Sequence, residues 1–168
     1  MNFIVAVSEN FAIGKNNDLL FNIPKDLAYF KEQTLDKVVV MGERTYHSLP
    51  FKPLKRRINV VLSDNPDFNP EGVIVARSLG DLFEKLKDYD SKEIFVIGGG
   101  SVYNLMMPYC EFAYITKVRK FVPDADTFIN NIEEMGTWDL ISESDVIEEN
   151  GLSYTFNIYK NKEIKQVD

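Results

Sequence analysis

Short apolar runs recur along the chain at residues 3–7, 38–41, 58–62, 73–75, 93–97 and 112–118, and most show no polar–apolar alternation. A run such as Phe3-Ile4-Val5-Ala6-Val7 must be covered on both faces, as a strand inside a parallel sheet is. Segments of helical period separate these runs. One spans residues 24–34, opening on Pro24, whose missing N–H is not needed at the first helical position. A short one covers residues 43–49. Another follows Ser78, which forms a capping-box pattern with Asp81 ahead of Leu79, Leu82, Phe83 and Leu86 on one face. A last one covers residues 101–107 and stops at Pro108. Strands alternating with helices predict an α/β class, a three-layer domain around a central mixed, mostly parallel eight-stranded sheet. Residues 138–141 and 152–159, with the turn pair Asn150-Gly151 between them, predict that it ends in an antiparallel C-terminal hairpin. Residues 1–160 read as a single domain, and 161–168 as a polar tail expected to fray.

Composition removes several classes of function. With 168 residues, 45% of them hydrophobic, the chain can bury one substantial core. A net charge of −7 argues against nucleic-acid binding. One Cys, Cys110, cannot form an internal disulfide, which suits a reducing cytoplasm. One His, His47, is too few for a His-rich metal site, and no G-x-S-x-G elbow is present. No apolar run approaches a membrane span, and the N-terminus reads as a strand rather than a signal peptide. No exposed apolar stripe demands a partner, so a monomer is expected.

Ligands of open α/β sheets bind at the carboxyl ends of the strands. Three segments fall there. Ile97-Gly98-Gly99-Gly100-Ser101 is a glycine turn from strand to helix, suited to a close phosphate or to tight packing. Met41-Gly42-Glu43-Arg44-Thr45 repeats the strand–glycine–helix pattern with a cation, which by itself is also what a surface arginine looks like. Lys52-Pro53-Leu54-Lys55-Arg56-Arg57 is a cationic run on an acidic chain, either a solvated face or a patch that steers an anion. Residues 8–22, with Gly14, Asn10, Asn16 and Asn17, form a connection long enough to serve as a lid. Asp26 lies in the first turn of the helix from Pro24, with Phe30 one turn on. Read alone, that acid is explained by the helix dipole.

Taken in order, Ala12-Ile13-Gly14, the stretch from Phe21 to Lys31, Val40-Met41-Gly42-Glu43-Arg44-Thr45-Tyr46, Val96-Ile97-Gly98-Gly99-Gly100-Ser101-Val102-Tyr103, and Ile115-Thr116 followed by Asp126-Thr127-Phe128 resemble the dihydrofolate reductase family. The resemblance covers the chain to about Tyr159. It implies hydride transfer from NADPH to 7,8-dihydrofolate, giving tetrahydrofolate for one-carbon metabolism. It also implies that Asp26 is the acid of the pterin pocket, tied to Thr116, with Phe21 beside the water that delivers the proton. Val5, Ala6, Leu27, Phe30, Leu49 and Ile97 would line the substrate, and Arg57 would clamp its glutamate carboxylate. Ala6, Ile13, Gly14, Gly42, Arg44, Thr45, Leu62, Ser63, Arg77, Ile97, Gly98, Gly99, Gly100, Ser101, Val102 and Tyr103 would follow the cofactor, with a cis bond between Gly98 and Gly99.

The chain departs from the family pattern in four places. Phe21 stands where the family usually has Trp, which removes an indole donor. Leu19 and Leu20 stand where a lid often has Met and Pro. Glu43 replaces an often basic residue near the cofactor's 2′-phosphate, and Asp64 a common hydroxyl, which leaves Arg44 and Arg77 to pair with it. NADPH is still expected over NADH, by a smaller margin than is usual. The alternatives to this reading are a pyrimidine reductase of flavin biosynthesis on the same fold, and a non-catalytic nucleotide-binding or structural module.

Overall fold

The computed structural model describes residues 1–167. In chain order the elements are β1 (Asn2–Val7), β2 (Ala12–Lys15), β3 (Asp18–Leu19), α1 (Pro24–Thr34), β4 (Val38–Gly42), α2 (Glu43–Ser48), β5 (Ile58–Leu62), β6 (Ile74–Ala76), α3 (Leu79–Leu86), β7 (Ile94–Gly98), α4 (Gly100–Met106), β8 (Phe112–Val118), β9 (Thr127–Phe128), β10 (Trp138–Glu143), β11 (Ile147–Glu149) and β12 (Leu152–Asn161). The main sheet runs β10-β12-β8-β1-β7-β4-β5-β6, with β11 paired on β12. From β8 to β6 every pairing is parallel; those of β12 are antiparallel.

The unalternating runs are explained by two cores, one on each face of the sheet. Val38 and Val40 of β4 and Val60 of β5 enter a core with Leu82, Leu86, Val102 and Met106 from α3 and α4. Their chain neighbours Val39, Met41 and Val61 enter the other, with Tyr46 of α2 and Phe68. Successive strand side chains point to opposite faces, so a strand covered on both sides is apolar almost throughout; the buried Asn59 of β5 is tolerated because it bonds both the amide and the carbonyl of Leu54. Phe3 of β1 fixes the first core, meeting Tyr103 and Trp138 edge-on at ring separations of 6.0 and 5.7 Å.

Four expectations need correction. The long connection at residues 8–22 carries β2 and β3, a small hairpin turning through Asn16 and Asn17 at φ 54° and 62°. Across β2 it pairs with β9, forming a separate three-stranded sheet. Second, the expected antiparallel pairing of residues 138–141 with the last strand is present, but Asn150-Gly151 joins β11 to β12, and β11 and β10 follow one another along the edge of β12 that faces away from β8. Third, the apolar face expected of Leu27, Ala28 and Phe30 is not packed. Leu27 is 57% exposed, and Thr34 is the only fully buried residue of α1. That helix is held instead by Tyr29, stacked on Phe156 at 4.1 Å, and by Ile23 beside Val118 and Tyr154. Fourth, the tail expected to fray from residue 161 is partly tied. Asn161 is buried and donates to the Cys110 carbonyl, and the amides of Lys162 and Lys165 donate to the carbonyls of Thr137 and Pro108.

Candidate active site

The strand ends and the start of α1 converge on one acid. Pro24 opens the helix, and the amides of Asp26 and Leu27 both donate to the Ile23 carbonyl. This directs the Asp26 side chain toward β8, where Thr116, 2% exposed, donates its hydroxyl to Asp26 Oδ1 at 2.5 Å. Thr116 pairs with Ala6 of β1 on one side and Phe156 of β12 on the other. Val5 and Ala6, in the middle of a central strand, are only half-buried, so the sheet is open at this point. Burial raises the Asp26 pKa, and the Thr116 hydrogen bond opposes the rise. No cationic side chain among the described residues contributes to its ionisation.

Three tyrosines, Tyr29, Tyr103 and Tyr154, sense the same charge. Burial first, then Tyr114, Asp26 and Glu32, push Tyr29 up to about 12. Burial and then Asp26 push Tyr103 upward, and its hydroxyl donates to the Ile4 carbonyl at 2.7 Å. Phe21 belongs to the apolar cluster of Ile23, Val118 and Tyr154.

Asp26, Phe30 and Thr34 occur every four residues and so form one ridge along α1. At 1.5 Å per residue the ridge separates its ends by about 12 Å. At the far end Arg57 is half-buried, with Nη1 donating to Thr34 Oγ1 at 3.2 Å and Nε to the Lys55 carbonyl at 2.9 Å. No carboxylate pairs with it among the described residues, and burial pulls its pKa down. Leu49 and Ile97, both half-buried against the second core, flank the opening. The arrangement offers a half-buried carboxylate, an aromatic ring and a guanidinium in a row.

The second group of expected residues gathers at the ends of β4, β5 and β7. β4 and β7 are neighbours, with Met41 opposite Gly98, so their two glycine turns face each other. The Gly98–Gly99 bond is cis. A Cβ at Gly99 would sit 3.2 Å from the Thr45 hydroxyl, so the bare backbone leaves the two in close approach without a clash. Ile13 and Gly14 arrive from the small sheet. Leu62 is half-buried and Val102 buried, whereas Ser101 and Arg44 are exposed. Two side chains are engaged otherwise than expected. Arg77 donates to the carbonyls of Ser63, Asn65 and Phe68, which holds the loop after β5. Glu43 accepts from the Ser63 hydroxyl and lies 3.0 Å from His47 Nε2, contacts that hold its carboxyl below the usual range. A separate recess of about 580 Å³ lies between Lys15–Leu20 and Lys120–Asp124 and does not include Asp26.

Gly100 is where the small sheet meets the main one. A Cβ there would come within 2.8 Å of Thr127 Cγ2 and 3.3 Å of the Phe128 carbonyl oxygen. Gly100→Ala is expected to cost about 1–3 kcal/mol by forcing β9 away from α4; an unchanged melting temperature would refute that contact. Sequence reasoning did not find Thr34 behind Arg57, Tyr29 on Phe156, or the Glu43–Ser63 pair. Each joins residues distant in sequence, and only the phase of Thr34 on the helix ridge gave a local signal.

The family model described as dihydrofolate reductase matches residues 1–161. The dihydrofolate reductase of Bacillus subtilis (strain 168) is 35% identical over 164 residues, covering 96% of this chain and 95% of its own. That of Sus scrofa is 35% identical over 182 residues, covering 95% and 97%. A solved dihydrofolate reductase from Enterococcus faecalis, complexed with NADP(H) and RAB-propyl, superposes with a TM-score of 0.82 at 30% identity, covering 95% of each chain. A sheet of this order, an acid anchored on β8 and a match running nearly end to end assign the chain to the dihydrofolate reductase family.

Proposed function

We propose that this chain reduces 7,8-dihydrofolate to 5,6,7,8-tetrahydrofolate, using NADPH. The observation that carries the reading is Asp26, a half-buried carboxylate with one oxygen on Thr116, at the head of a ridge that ends at a guanidinium with no carboxylate partner among the described residues. A ligand matching that row has a donor-rich head, a flat middle and a carboxylate tail, which are the pterin, aminobenzoyl and glutamate parts of a folate. Asp26 accepts hydrogen bonds from the pterin ring N–H and exocyclic amine. These are strengthened by the low dielectric around it. Phe30 and Leu49 flank the middle, and Arg57 clamps the tail.

The chain's residues also fit the cofactor. The bare backbone at Gly99 beside Thr45, the exposed Arg44, without an ion-pair partner among the described residues, and the Ser63 hydroxyl suit a dinucleotide with an added phosphate. NADPH, when bound, supplies a hydride to the pterin carbon next to the nitrogen that takes up a proton. Asp26 fixes the pterin's orientation and its field favours protonation at that nitrogen, with water carrying the proton. The apolar surround of Val5, Ala6 and Phe21 excludes other water.

Purified protein mixed with NADPH and dihydrofolate is expected to consume the cofactor's near-ultraviolet absorbance; absence of turnover would reject the reading. Glu43 keeps its charge near the expected phosphate end, so the advantage of NADPH over NADH is expected to be modest but present. Equal kcat/KM with the two cofactors would contradict it. No helix among the described residues is long and apolar enough to cross a membrane. We read the protein as a cytoplasmic monomer whose single thiol, Cys110, is buried and unbridged.

A further inference from the structure

The run Ile58-Asn59-Val60-Val61-Leu62 of β5 is broken by one polar residue. Asn59 is 2% exposed and pairs with Val39 of β4, a member of the second core, where a branched apolar side chain is the ordinary occupant. Its carboxamide is engaged by the chain just before it. Oδ1 accepts from the Leu54 amide at 3.0 Å, and Nδ2 donates to the carbonyls of Leu54 and Arg57 at 2.9 and 3.1 Å. Both N–H donors of the amide are used, and only one of its two orientations satisfies all three partners. These bonds close a turn. From Leu54 to Arg57 every backbone carbonyl has a partner: those of Leu54 and Arg57 on Asn59, that of Lys55 on Arg57 Nε at 2.9 Å, and that of Arg56 on the Asp36 amide at 2.7 Å. Arg56 sits at φ 58°, the left-handed conformation that tightens the reversal. From the helix side, Asp36 holds Arg56, and Thr34 holds the Arg57 guanidinium. From the sheet side, the side-chain anchor is Asn59.

We propose that Asn59 is a positioning residue for Arg57: its three hydrogen bonds fold Leu54–Arg57 into the turn that delivers the guanidinium to Thr34 and to the carboxylate tail of the substrate. The role rests on the reading of Arg57 as the tail clamp. A guanidinium gives paired bonds to a carboxylate only where its plane is fixed. That plane has two attachments, Thr34 Oγ1 and the Lys55 carbonyl. The second belongs to the turn itself. A turn that opens therefore moves both this carbonyl and the Cα from which the Arg57 side chain starts. Asn59 is buried and acts through the backbone. The same bonds explain a polar residue in a strand covered on both faces. Leucine would fill the space but leave one amide and two carbonyls without these partners.

The test compares Asn59→Leu with the wild type on dihydrofolate, on a folate analogue lacking the terminal carboxylates, and on NADPH. Asn59→Leu is expected to raise KM for dihydrofolate by about three- to tenfold, less than loss of the guanidinium itself. Its kcat, and its KM for the analogue and for NADPH, should stay within about twofold of wild type. In an Arg57→Gln background the same change should leave KM for dihydrofolate where Arg57→Gln alone puts it. Nitrogen-15 labelling of arginine gives a readout without substrate. The Arg57 Nε–H signal, assigned by its absence in Arg57→Gln, should exchange with solvent several-fold faster in Asn59→Leu. A variant that melts lower but keeps KM for dihydrofolate and the Nε–H exchange of wild type overturns the proposal. So does an equal rise in KM for the analogue, or full additivity with Arg57→Gln. Should Asn59→Leu fail to fold, Asn59→Ser decides the matter on the same criteria. A wild type that neither binds nor turns over dihydrofolate would reject the substrate reading, and the Nε–H exchange would still decide whether Asn59 holds Arg57.

Discussion

Asp26→Asn is expected to lower turnover at neutral pH by about 10²–10⁴-fold and, at the same pH, to raise the melting temperature. Asparagine keeps the shape, and its carbonyl can still accept from Thr116, so the local geometry survives. What goes is the negative charge and one of the two acceptors offered to the pterin. The stability gain follows from burial. Because burial raises the native pKa of Asp26, the folded protein holds a proton more tightly there than the unfolded chain does. The carboxylate's relative contribution is thus most favourable below its unfolded value and is lost as pH rises through the native one. Above that value the wild type carries a buried charge and the variant does not. The gap in melting temperature should be widest near pH 7 and close as pH falls toward the ordinary carboxylate range. Near-wild-type turnover, or a gap that widens in acid, would refute the assigned role.

Arg57→Gln is expected to raise KM for dihydrofolate by roughly 10- to 100-fold, at about 1.5–3 kcal/mol for hydrogen bonds to a charged group, and to leave kcat nearly unchanged. Arg57 is at the opposite end of the ridge from Asp26, so its contacts are the same before and during the reaction. Nη1 and Nε are held by Thr34 and the Lys55 carbonyl, which orients the remaining N–H groups, with no carboxylate among the described residues to occupy them. Arg57→Lys should not rescue it, since a lysine cannot reproduce the planar fork. A folate analogue lacking the terminal carboxylates provides the control, because wild type and variant should bind it alike. A fall in kcat at constant KM would point instead to a disturbed α1.

Much of the main sheet was legible because its code is local. β5 and β8 occupy the residues expected of them, and α1 spans Pro24 to Thr34 as its proline start predicts. β4 and β7 each run one residue further, onto a glycine that the sequence marks as a turn. The small sheet was not legible. β3 and β9 have two residues each, too few for periodicity, and exist because β2 pairs with a segment more than a hundred positions away. The glycine turns and the acid near Pro24 were visible as types of residue. Their convergence, and the partners Thr34 and Ser63, depend on strand order, which no local pattern encodes.

The strand order has a consequence during synthesis. β1 carries Phe3, Ile4, Val5 and Val7, yet both strands that hydrogen-bond it, β7 and β8, begin beyond residue 93. At translation rates of roughly 5–20 residues per second, β1 waits on the order of ten seconds after its own synthesis for its pairing partners. Through that interval the nascent chain exposes an apolar strand with two open edges. Closing loops this long makes late, non-local pairing the slow event of folding. The central position of β1, which gives the site its rigid floor, therefore makes the young polypeptide a ready client for chaperones.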